Sequence, residues 1–231
     1  DDESGVTGQA VQVYGGGTPI SPMVFEGASF EATNKGCGNR DGGRAAIWAS
    51  QTFIRIDNSV VTGGDFGFSI RNSAGMVTNS TINVNCNGID INSLKAIGDT
   101  EYIVEVANNI INTAEKTPIT VYAGADAYIH NNDLEGAADG SGIAVYSAKA
   151  QIHNNEIGPI GGWNGLWLLG SYDVVAENNT IIDTAREPVL AGEYGTQAPA
   201  PTTARLYLAN NTIGDRKSTR LNSSHLVISY A

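Results

Sequence analysis

The hexapeptide IHNNDL at 129–134 returns as IHNNEI at 152–157, and the two belong to a longer series: RIDNSVV, MVTNSTI, EVANNII, YIHNNDL, QIHNNEI, VAENNTI and YLANNTI. The first asparagines of the series are Asn58, Asn79, Asn108, Asn131, Asn154, Asn178 and Asn210, at intervals of 21, 29, 23, 23, 24 and 32 residues. A period in the twenties means one supersecondary unit stacked on copies of itself. Two residues before each asparagine stands an apolar side chain (Ile56, Val77, Val106, Ile129, Ile152, Ala176, Leu208). Another follows three residues after it (Val61, Ile82, Ile111, Leu134, Ile157, Ile181, Ile213). This is the alternation of half-buried strands.

A second strand signal accompanies every copy: AIWA (46–49), GFSI (67–70), GIDI (88–91), PITV (118–121), GIAV (142–145), GLWL (165–168) and PVLA (188–191), with apolar second and fourth residues throughout. The expectation is an all-β solenoid with three short strands per coil, successive coils stacking in parallel at about 4.8 Å. On this reading the first asparagine of each pair faces inward and bonds to the coils above and below as a ladder. The second position (Ser59, Ser80, Asn109, Asn132, Asn155, Asn179, Asn211) takes the left-handed turn conformation.

The composition agrees with a folded, turn-rich β protein: 28 glycines and 41% hydrophobic residues, with only 16% charged, in 231 residues. The formal charge of −11 disfavours a nucleic-acid or anionic-membrane partner. No apolar run has bilayer length, so no membrane insertion is expected. The chain begins at Asp1, which fits a mature or trimmed N-terminus. Cys37 and Cys86 allow one disulfide or two buried thiols, and nothing near them has metal-ligand spacing.

Residues 215–231, DRKSTRLNSSHLVISYA, lose the glycines and gain basic residues. They resemble a translated short-read sequencing adapter, which makes them a non-native tail. The domain reading is a cap or irregular first coil over 1–45, a β-helix over 46–214 that is truncated near Gly214, and the tail.

With G-I-x-I followed by I-x-N-N-x-I over roughly 46–213, the chain resembles the right-handed parallel β-helix, pectate-lyase-like superfamily. That resemblance implies a right-handed solenoid and a family of polysaccharide lyases, glycoside hydrolases, uronan epimerases, tailspikes, adhesins and accessory proteins. It also implies that the carbohydrate groove lies over the G-x-x-x sheet. The two long intervals carry insertions, 92–102 and 192–205, at one corner bordering that sheet.

Outward positions of that sheet bring Tyr122, Tyr146, Trp167, Asn92 and Trp48 forward as substrate-binding residues, since aromatic faces beside hydrogen-bonding groups suit sugars. Arg71, Asp90 and Asp65 form the candidate catalytic cluster: carboxylates for acid and base work, with an arginine to neutralise a uronate. A surface ion pair between Arg71 and Asp90 is the plainer alternative. No paired-aspartate glycosidase signature, lyase Lys/Arg pair or Asp-Pro-His epimerase signature is present, so none of the family's catalytic residues is carried over.

His130 and His153 share a column with Glu177, a weak pattern for a transition metal. No metal site and no cofactor are assigned. The leading function is a secreted, periplasmic or cell-surface β-helix that binds, and as an enzyme would process, an extended polysaccharide or cell-surface glycan. The alternative is a noncatalytic structural or adhesive module of a larger exported protein.

Overall fold

The computed structural model describes residues 10–32, 37, 45–93, 103–122, 124–170, 173–192, 205–215, 218–222 and 226–229. These contain no α-helix. Their strands form three long sheets of eight, nine and nine strands, and each sheet takes every third strand of the chain in turn, until the last two strands close two of the sheets. The first sheet runs from Val11–Tyr14 to Val189–Gly192; the second begins at Met23–Glu26 and the third at Ser29–Ala32. All pairings are parallel up to Thr212–Asp215. Residues 11–32 already make a complete first coil, registered on the second by Val11↔Ile47, Met23↔Ile54 and Phe30↔Val61.

Each strand buries alternate residues, and the inward columns meet in one continuous core that includes Ile56, Ile129, Leu134, Ile152 and Ile181. Burying each such side chain stabilises the fold by about 1.5–3 kcal/mol. The glycine that opens many first-sheet strands has a steric cause. A Cβ on Gly142 would stand 2.3 Å from the Ile157 side chain and 2.8 Å from the Gly165 carbonyl of the next coil.

The ladder exists, with its two positions exchanged relative to the sequence expectation. Asn131 is exposed with φ 56°, and Asn58, Asn79, Asn108, Asn154, Asn178 and Asn210 behave likewise. The second residues are the buried ones: Ser59, Ser80, Asn109, Asn132, Asn155, Asn179 and Asn211. Asn132 is representative. Its Nδ2 donates to Val106 O of the preceding coil (2.9 Å) and to Asn155 Oδ1 of the next (2.9 Å), while its Oδ1 accepts from Asn109 N (3.0 Å).

The physical reason is a phase reset. Counting from Ile129, the inward position would be 131; counting back from Leu134, it is 132. The left-handed residue at 131 absorbs the difference and points outward. Asparagine tolerates that conformation best among residues with a side chain.

Cys37 and Cys86 are joined in a disulfide, with Cα atoms 5.4 Å apart, which settles the choice the sequence left open. Beyond the last parallel coil, Ser218–Asn222 and Leu226–Ser229 pair antiparallel against Thr212–Asp215 and Arg205–Ala209. The reversal of strand direction coincides with the start of the compositionally foreign stretch.

Candidate functional site

The outer face of the first sheet takes its layout from parallel register. One column aligns Ser50, Arg71, Asn92, Tyr122, Tyr146, Leu169 and Gly192; the other aligns Trp48, Ser69, Asp90, Thr120, Ala144, Trp167 and Leu190. The expected columns are therefore present. Tyr122 and Tyr146 stack with ring centroids 5.3 Å apart and planes 12° from parallel, and Trp167 meets Tyr146 edge-on at 5.6 Å.

Two residues that the sequence reading passed over extend this run around the corner. Trp163 lies 4.1 Å from Trp167, and the Arg186 guanidinium sits 5.3 Å from the Trp163 ring centroid. Cation–π geometry of this kind holds a ring in place. Asp139, paired with Lys116 and held below the ordinary carboxylate range chiefly by that lysine, lies on the same corner; the Trp163 indole and the Arg186 charge add smaller contributions.

The aromatic rings are half-buried rather than fully presented, while Thr120 and Ala144 between them are buried outright. The Trp167 indole Nε1 is buried without a hydrogen-bond partner. Trp48 lies five strands from Trp167 in the same column and packs with Ala45, Phe66, Cys86 and Cys37, so it is no part of the platform. Of the insertion segments 92–102 and 192–205, expected to flank the trough, all but residues 92, 93, 192 and 205 lie outside the described residues.

At the N-terminal end of the same face, Asp90 accepts a hydrogen bond from Asn87 Nδ2 at 2.8 Å. Burial pushes the Asp90 carboxyl up to about 6, against the opposing influence of Asn87, the Arg71 charge and the Thr120 hydroxyl. A carboxyl titrating there is poised for proton transfer near neutral pH. Arg71 donates from Nε to Ser69 Oγ at 3.3 Å, which lays it along its own strand toward Asp90.

Asp65 does not join them. It is buried just before the strand Phe66–Arg71, whereas Arg71 ends that strand, so six residues of extended chain separate them by about 20 Å. Asp90 pairs with Ser69, which leaves it about 13 Å from Asp65 along the strand direction. The structure thus brings together Arg71, Asp90 and Asn92 with the aromatic run, adds Asn87 and Trp163, and leaves Asp65 and Trp48 apart.

On the second sheet, His130 Nε2 lies 2.9 Å from Glu105 Oε1, and His153 Nδ1 lies 3.5 Å from Glu177 Oε2. Each imidazole is thus turned to a carboxylate, with Tyr128 4.3 Å from the His130 ring. Among the described residues no group of three or more potential ligands could hold a metal ion.

No curated protein matches the sequence. Among solved structures, the chain is similar to the Dettilon tailspike protein (gp208), with 15% identity, a TM-score of 0.58, and coverage of 90% of this chain and 48% of that one. It is also similar to a mutant of the periplasmic alginate epimerase AlgG, with 16% identity, a TM-score of 0.53, and coverage of 79% and 42%. The chain spans under half the length of either structure, and at such identity the likeness concerns the fold. The family profile described as the right-handed β-helix region matches residues 4–157 and 98–230, and the chain belongs to that family.

Proposed function

We propose that the outer face of the first sheet binds an extended polysaccharide. The observation that carries this reading is the continuous run Tyr122–Tyr146–Trp167 on one face, extended around its corner by Trp163 and adjoining the hydrogen-bonding and titratable set Asn92, Asp90, Asn87 and Arg71. Aromatic surface beside convergent polar groups is what a sugar with apolar faces and hydroxyl edges requires. An alginate epimerase among the structures of similar fold supports the same substrate class. The disulfide supports an oxidising setting, consistent with a periplasmic, extracellular or cell-surface protein. As an enzyme it would use Asp90 for proton transfer and Arg71 for charge, in lyase, hydrolase or epimerase chemistry.

The test is a glycan screen followed by titration of the Tyr146→Ala, Trp167→Ala double variant. Affinity should fall at least about tenfold while the circular dichroism spectrum holds, and a variant that binds like the parent would sink the proposal. If product forms, Asp90→Asn should abolish it; turnover that survives this change removes Asp90 from the chemistry. A second reading, a noncatalytic structural or adhesive module, draws on the half-burial of these rings against one another, because same-face stacking stabilises a sheet without any ligand.

A further inference from the structure

Between residues 10 and 215 the described residues include six lysines and arginines, and each has an acid beside it. Arg55 donates to Asp57 at 2.9 Å and Arg205 to Asp173 at 2.7 Å. Lys116 is paired with Asp139, and the Arg186 charge acts on that same carboxyl. The Arg71 charge acts on Asp90, and Lys149 is registered beside Asp126 of the neighbouring coil. The first sheet goes further: its strands Ile119–Tyr122, Ile143–Tyr146, Leu166–Leu169 and Val189–Gly192 contain no charged residue at all. These four strands carry the stacked tyrosines and Trp167. By sequence, the insertions 92–102 and 192–205 hold Lys95 and Arg205 against Asp99, Glu101 and Glu193, within a chain of net charge −11.

We infer that the glycan taken by this face is uncharged, an inference that rests on the polysaccharide reading and narrows it. A polyuronate brings a carboxylate on every sugar. Laid across these four strands, it would set a row of anions on a surface that offers them no cation, in the field of an acidic chain. Recruiting Lys116 or Arg186 from the corner would exchange one carboxylate partner for another and strand Asp139, so little is gained. An uncharged sugar meets none of these costs. Its C–H faces and hydroxyls match what the strands present, which is aromatic rings beside Leu169 and the exposed Leu190. The chemistry narrows with the substrate. Elimination and epimerisation of a uronate break the C–H bond next to its carboxylate, so an uncharged glycan leaves this face with hydrolysis or with binding alone.

An array of uncharged glucans, mannans, galactans and xylans, printed beside oligomers of mannuronate, guluronate and galacturonate, tests this on the full chain. The tightest binders should all be uncharged. Their affinity, measured by calorimetry, should change less than about twofold between about 20 and 300 mM salt, and the Tyr146→Ala, Trp167→Ala double variant should weaken it at least about tenfold. A polyuronate bound as tightly as any uncharged glycan and lost in the double variant, or an affinity that falls steeply with salt, would overturn the inference and leave the polysaccharide reading standing. Binding of no glycan, or binding that the double variant retains, would overturn both.

Discussion

The N-terminal coils and the later coils are held at the same corner by different chemistry. At Ser59 and Ser80 the buried hydroxyl donates to a carbonyl of its own coil, Asp57 O at 3.0 Å and Thr78 O at 2.8 Å; Ser80 Oγ also accepts the Ser59 amide from the coil before, at 3.1 Å. From Asn109 onward each carboxamide reaches both ways. Asn109, for instance, touches Val77 O below and Asn132 Oδ1 above. A serine rung therefore ties two coils and an asparagine rung ties three. The serine region has a supplement on its outer surface: Asp57 accepts from Thr78 Oγ1 and Asn79 Nδ2 of the following coil, each at 2.8 Å, and from Arg55 at 2.9 Å. What differs between the regions is how far one side chain spreads its bonds, and removing it should cost in proportion.

The largest effect is expected at Asn132. Asn132→Ala strands the Val106 carbonyl and the Asn109 amide in a buried site and should destabilise by about 3 kcal/mol, against about 1 kcal/mol for Ser59→Ala. Equal losses in chemical denaturation would erase the distinction. Next comes the exposed partner position. Asn131→Ala places a Cβ-bearing residue at φ 56° without asparagine's tolerance and should cost about 1 kcal/mol, whereas Asn131→Gly should stay within a few tenths. A glycine variant as damaged as the alanine one would mean that the carboxamide, not the backbone, matters there.

The smallest effect sharpens the comparison from outside. Asp57 is lowered to about 2, first by the Asn79 hydrogen bond and then by Arg55 and Thr78. A depressed folded-state value stabilises above the ordinary carboxylate pKa of 3.8, and that contribution fades as pH falls toward 2. Hydrogen exchange between pH 5 and 2 should show coils around 53–84 loosening before those around 126–160. The Asp57→Asn variant should lose that pH dependence.

Strand identity, inward columns and parallel register were legible in the sequence, because hydrophobic alternation at a fixed period admits few other arrangements. Which asparagine of each pair is buried was not. Alternation counted from the upstream strand gives the wrong parity whenever a left-handed residue intervenes, and only counting back from Leu134 would have revealed it.

The aromatic column was likewise visible, since Tyr122 and Tyr146 hold equivalent repeat positions. Trp163 and Asn87 were missed because they precede the strand, at corner positions where the apolar pattern says nothing. Aligning the residues before the last five of the seven G-x-x-x runs, namely Asn87, Thr117, Ser141, Asn164 and Glu187, exposes a second polar corner. There Ser141 N donates to Thr117 Oγ1 at 3.2 Å and Asn164 Nδ2 to Glu187 O at 2.6 Å. Asp65 belongs to the coil next to that of Asp90, but sharing neighbouring coils does not fix a residue's place along the strand, and Phe66–Arg71 runs away from Asp65.

In the ladder every bond from one rung to the next rung's oxygen points the same way. Asn109, Asn132, Asn155 and Asn179 each send both a backbone N–H and a side-chain N–H toward the next coil, and each receives from the one before through its oxygen. Carboxamides aligned in this way add as dipoles and polarise one another. A solenoid without a helix among its described residues thereby acquires an electrical axis, positive toward the Asn211 end and negative toward Ser80. A rung is therefore not interchangeable end for end: each coil must present its acceptor to the coil before it and its donors to the coil after it.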